Sequence, residues 1–402
     1  MKTIKKQFIL SLSLILLVAC NSSETDVAPD YNFMKVYDNA DIEINYYPVD
    51  ALETKDGSIV VLSALNDIQN TNFPTIHIMK TSASGKVIWE TPIAPSYVSP
   101  VPNLMLANDQ VRFVCMDDTS FDTKIIGINL NNGDITELGS LDESYPLAAH
   151  YNSDNQTTVI LSYDAIGTSS IITGLNASFT QLFRASTATN KDFSYDIFRH
   201  LKKQRTPFPF FINSFDHSGV YYAVNGFSNY TLSLMMVNQS SGQITGRVNG
   251  FQELGGISAA IHKVNDQFAI ASSKFNVGNV AIGADVNIDV NSTQNIAQLT
   301  TVGLAELKAE APVKVLKTNF SNQEMIIYAA TTKTNQVALY FFNAESNSLI
   351  KTHYLGHTNP MEISAFFKTK DKGLAVVGKA WVAGRYQRII IHKLAYEQLE
   401  LD

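Results

Sequence analysis

This chain of 402 residues is poor in the residue types that most catalytic and metal-binding proteins rely on. It has two cysteines, Cys20 and Cys115, widely separated, so it is not a disulfide-built scaffold and offers no cysteine pair to clasp a metal. Charged residues make up 17%, and the 37 acids outnumber the 30 bases. No basic surplus exists to neutralise phosphates, so no nucleic-acid partner is expected. Gly at 21 and Pro at 12 are too few for a collagen-like or linker-dominated chain, and 45% hydrophobic content excludes a disordered one. His-Glu-x-x-His, Gly-x-Ser-x-Gly, a Walker loop and Gly-x-Gly-x-x-Gly are all missing. The eight histidines are scattered; only His353 and His357 have a ligand-like spacing, and they fall at a strand-to-loop junction. No catalytic residue, metal ligand or cofactor is assigned on these grounds.

What is present begins at the N-terminus. Lys2, Lys5 and Lys6 precede an apolar stretch from Phe8 to Val18, too short to span a bilayer and of the length of a secretory signal. It ends in Leu17-Val18-Ala19-Cys20, which resembles the bacterial lipobox. The resemblance implies cleavage before Cys20 and acylation of that residue, since two or three chains anchor a protein where one does not. The alternative is an ordinary signal with an incidental cysteine. Residues 1–19 are thus read as a lipoprotein signal peptide and 20–30 as a flexible tether. Cleavage takes three lysines and no acid, moving the net charge from −7 to −10. The implied location is the bacterial outer membrane; Glu24 and Asp26 resemble a thin surface-export signal, which tilts the open choice between periplasmic and cell-surface faces toward the latter. Cys115, in the apolar run Val111 to Met116, is read as a buried core residue.

Internal repetition carries the fold. Leu52 to Ser63 aligns without gaps to Phe367 to Gly378, and Ile76 to Lys80 matches Ile389 to Lys393. Each copy reads strand, Asp/Gly turn, apolar strand, loop, apolar strand. Between them, Asn/Ser/Gly turns after apolar strands recur about every 45 to 64 residues, the period of four-stranded propeller blades. The phasing predicts an all-β chain: residues 31–402 as a single seven-bladed β-propeller, with eight blades as the alternative. Tyr31 to Tyr37 resembles an outer strand without its blade and is expected to pair with Ile389 to Leu394, closing the ring.

The run Asp56 to Val61 with Ile78-Met-Lys-Thr-Ser-Ala-Ser-Gly-Lys-Val-Ile-Trp89 resembles the repeat of secreted β-propeller lipoproteins of Bacteroidota. Ser82 and Ser58 stand where that pattern has Asp and Gly. The resemblance implies a fold and a secreted habitat, and no activity.

Several groups are weighed as sites. Asp117, Asp118 and Asp122, and Asp216 with His217, are either acid clusters or turn formers. Asp56 and Asp371 recur in equivalent repeats and read as turn formers. Tyr46, Tyr47, Phe208, Phe210, Phe211 and Tyr230 could stack on sugars or pack between blades. One insertion, near 186–206, departs from the repeat and reads as helical, with Phe193, Ile197 and Leu201 on one face and Arg199, Lys202, Lys203 and Arg205 toward its end. These seven residues either dock a partner or hold the helix against the propeller. The expected function is a non-enzymatic binding or assembly module, attached to the membrane through lipidated Cys20, with a protein or glycan partner. The alternative is a glycan- or peptide-cleaving hydrolase or lyase with carboxylates at the central channel.

Overall fold

Alternating apolar runs and tight turns build a succession of antiparallel meanders in the computed structural model, which describes residues 32–38, 44–66, 73–107, 110–203, 208–251, 255–274, 280–309 and 311–401. Residues 1–31, on which the expected signal peptide, Cys20 and the expected tether fall, and Arg205 lie outside the described residues. The first meander runs Asn45–Glu53, Ile59–Asn66, Thr75–Thr81, Val87–Pro92; the second runs Met105–Ala107, Gln110–Asp117, Asp122–Ile128, Ile135–Ser144. The short strand Tyr97–Val98 bridges these two, pairing with Thr75 on one side and with Met116 and Asp117 on the other. Further meanders start at Pro146–Asn152, Phe211–Asp216, Gly255–Val264 and Val313–Phe320, and the last comprises Met361–Lys368, Leu374–Val382 and Tyr386–Leu394.

Strand alternation sends neighbouring side chains to opposite faces, and both faces are covered. Val60 and Leu62 pack with Val111, Phe113 and Ile126 of the second meander. Ile59 and Val61, one residue out of phase, pack with Ala375, Val377 and Ile391 of the last. The first meander is therefore sandwiched between the second and the last, as a closed ring requires, and the fold is an all-β propeller. Cys115 sits fully buried and unpaired between the first two meanders, where burial pushes its thiol pKa well up.

The ring closes as the sequence predicts. Phe33–Tyr37 pairs antiparallel with Tyr386–Leu394 in the register Phe33↔Lys393 to Tyr37↔Ile389, supplying the last meander's outer strand. The same strand reaches across to the first meander, where Lys35 Nζ donates to the Ser84 carbonyl at 2.7 Å and Tyr37 Oη to that of Gly85 at 2.9 Å. Gly85 is needed there: its φ is +74°, and a Cβ would lie 2.5 Å from the Phe33 ring.

The repeated Thr-Lys-Asp turns prove to be paired devices. Thr54 donates to Asp56, which is bridged by Lys80 at 3.2 Å; Thr369 donates to Asp371, which is bridged by Lys393 at 2.6 Å. Lys80 and the Trp89 indole also both donate to the Leu130 carbonyl, tying the first meander to the second. Burial pushes the Asp371 carboxyl up, but the Lys393 ammonium and the Thr369 hydroxyl outweigh it and hold the pKa below the usual carboxylate value. A depressed pKa contributes stability that is complete above the unfolded value near ~3.9 and lost as pH falls toward the folded one. Asp371→Asn is expected to cost about 2 kcal/mol at neutral pH, because Lys393 is left buried without its carboxylate, and to flatten the acid limb below about pH 5. Melting temperature against pH checks this; parallel wild-type and variant curves would contradict it.

Candidate functional site at the channel mouth

The first strands of the meanders are edge strands that face the ring's axis. Two follow a proline, Pro312-Val313 and Pro360-Met361, and a third begins with Pro146; on an edge the missing N–H costs no ladder bond. At the opening that the first strands surround is a cavity of about 260 Å³. Asp50, Asn213, Ala259, Lys314 and Glu362, from five different first strands, all line it, and the insertion contributes His200, Lys203 and Phe208.

The insertion forms helix α1, Ser194–Leu201. Its start is held by Asp192, whose Oδ1 accepts the Ser194 N–H at 2.8 Å, and by the Tyr163 hydroxyl, which accepts the Phe193 N–H at 2.9 Å. Phe193, Ile197 and Leu201 are buried at 0%, 1% and 1% exposure among residues of the third and fourth meanders. Phe193 stacks on Phe227 with centroids 3.9 Å apart, and Ser99 Oγ donates to the Leu201 carbonyl at 3.1 Å. Of the two readings of this face, packing is therefore the correct one: the three apolar residues are core, and the docking reading fails for them because no surface remains to present. Arg199 lies over the Tyr195 ring and Lys202 over that of Phe73. Lys203 points the other way, into the cavity.

The cavity wall is largely aromatic, with Tyr47, Phe208, Phe210, Phe211 and Phe366. Four of the residues weighed for stacking or packing are thus gathered at one mouth. Tyr46 instead packs edge-on against His77, and Tyr230 is exposed. Among the polar groups, Lys379 pairs with Glu362 at 2.9 Å and lies 5.1 Å from the centroids of both Tyr47 and Trp381. Asp50 Oδ2 accepts the Leu104 N–H at 2.6 Å. Burial raises the Asp50 pKa and lowers that of Lys314, and their mutual attraction only partly restores each. Lys203 keeps some surface open to the cavity but lies deep in the molecule; burial, with the like charge of Lys379 behind it, brings its pKa down to about 8.

The mouth thus holds two carboxylates and a histidine, but not as an acid–base relay. Glu362 is committed to Lys379, and His200 Nδ1 accepts the Phe208 N–H at 2.9 Å. Among the described residues no three His, Cys, Asp or Glu side chains are placed to hold a metal. Elsewhere, Asp117 accepts the Thr119 and Ser120 N–H groups as a turn former, and His217 pairs with Asp266 at 3.0 Å. His357 Nδ1 accepts the Asn359 N–H. Asp50, Lys314, Glu362 and Lys379 escape the sequence reading. For Lys314 and Glu362 the available signal is a charge two residues after a proline, near the start of a strand, and it becomes informative only once the strand is known to face the axis.

The chain matches no protein-family model and no curated protein. Its fold is similar to that of solved structures: YCF48 from Cyanidioschyzon merolae, at 10% identity over 90% of this chain and 99% of that one, has a TM-score of 0.50. Raptor from Chaetomium thermophilum, at 7% identity over 90% of this chain and 30% of that one, scores 0.51. The β-propeller domain of the Trilobed protease from Pyrococcus furiosus, at 9% identity over 87% of this chain and 93% of that one, scores 0.46. At these identities the likeness concerns the fold alone.

Proposed function

We propose that this chain is a bacterial outer-membrane lipoprotein, anchored through Cys20, whose meanders form seven blades of one ring and whose channel mouth is a binding site. The observation that carries the reading is the cavity itself, where five first strands and the insertion converge on aromatic walls. Pockets of this kind, mostly apolar with a few convergent polar groups, are where small molecules bind. Glu24 and Asp26 favour the cell-surface face. A hydrolase or lyase acting on a glycan or peptide is the second reading. It is favoured by Asp50, a carboxyl whose raised pKa is of the kind a general acid needs.

Two measurements test the first reading. Metabolic labelling with palmitate is expected to mark the wild type and not Cys20→Ser; continued labelling of the variant would remove the anchor. Full-length protein purified from membranes is expected to release a small molecule on denaturation, detected by mass spectrometry, that is absent from an Asn213→Trp variant with its cavity filled. Identical extracts from the two proteins would remove the binding site.

A further inference from the structure

Among the described residues, the charges at the channel mouth do not balance. Glu362 is neutralised by Lys379, and Asp50 is the carboxylate that acts on Lys314. Lys203 has no such partner among the described residues: the charge that acts on it is a second cation, Lys379. An ammonium held deep among aromatic rings without a counter-charge is costly, and the cost is offset when a ligand supplies the missing negative charge. Among the described residues the imbalance amounts to one charge, which suits a monoanion better than a phosphate monoester. His200 lines the same space, its Nδ1 accepting the Phe208 N–H. On the other sides the space is walled by Tyr47, Phe208, Phe210, Phe211 and Phe366, which suit an apolar or aromatic body. A chain of net charge −7 has no general attraction for anions, so the selectivity belongs to this local arrangement.

We infer that the channel mouth binds a small amphipathic monoanion, an organic carboxylate on an apolar or aromatic body, with its charge on Lys203 and its body against the phenylalanine wall. The inference rests on the binding-site reading above and adds the chemical class of the ligand.

The test uses full-length protein in detergent, with 3-phenylpropionate and its uncharged amide as probes and titration calorimetry as the readout. Wild type is expected to bind the acid saturably and at least tenfold more tightly than the amide. Lys203→Met should weaken the acid at least tenfold while leaving the amide unchanged, and Lys203→Arg should stay within a few-fold of wild type. Because Lys203 has no partner to lose, Lys203→Met is expected to melt no lower than wild type, so weakened binding is separable from misfolding. Equal binding of acid and amide, or an unaffected Lys203→Met, would overturn the anion assignment and leave the binding site standing. Binding of neither probe, together with identical extracts from wild type and Asn213→Trp, would overturn both.

Discussion

Removal of residues 31–38 is expected to cost about 5 kcal/mol or more and to leave a chain that aggregates instead of folding reversibly. The strand Phe33–Tyr37 supplies one edge of the last meander, and without it Tyr386–Leu394 presents a bare row of backbone donors and acceptors. Burial of Phe33, at 8% exposure, contributes about 2 kcal/mol, and each lost ladder hydrogen bond about 1. The loss reaches further. Arg388, whose side chain is 2% exposed, donates from Nε to Asp38 and from Nη1 to the Ile44 carbonyl, and deletion takes the Asp38 carboxylate away from this buried cation. Lys35 and Tyr37 would release the Ser84–Gly85 turn of the first meander as well, so both sides of the seam open together. Thermal unfolding and light scattering of the deleted chain check this. A melting temperature equal to that of the wild type would show that the ring is held shut elsewhere.

The second large effect is expected at the insertion. Phe193→Ala removes a fully buried ring stacked on Phe227 and should destabilise the protein by about 3–5 kcal/mol. Because α1 ends at the cavity, a loosened helix also misplaces His200 and Lys203, so weaker binding at the mouth is expected to accompany the lower melting temperature. Arg199→Ala, on the outer side over Tyr195, should change stability by no more than about 0.5 kcal/mol. If Phe193→Ala melted like the wild type while a membrane partner was lost, the helix would be a docking element after all.

Both expectations show how unevenly the molecule is written into its sequence. The closing strand was legible because its signal is local: Phe33 to Tyr37 alternates like an outer strand, and the repeat around Ile389 to Lys393 lacked its fourth member. The Thr-Lys-Asp turns were legible as turns, but their lysine partners lie across a meander, at Lys80 and Lys393, and were visible only as a repeat without a role. The insertion was legible as an amphipathic helix, whereas the direction of its apolar face was not. The spacing of Phe193, Ile197 and Leu201 is the same whether the stripe meets a partner or its own propeller.

The sequence by itself determined the strands, their turns, the meander period and the seam, because alternation, turn chemistry and β-branched packing act over a few residues or between copies of one unit. Only the tertiary structure decided the site. Asp50, Lys203, Lys314, Glu362 and Lys379 are spread over more than 300 positions, and none has a local pattern that sets it apart from a solvated charge. Asp50, Lys314 and Glu362 meet because a ring lays the first strand of each meander along one axis, and Lys203 from the insertion and Lys379 from the last meander's second strand reach the same opening. There burial and the charges alongside, rather than residue type, set what each group can do.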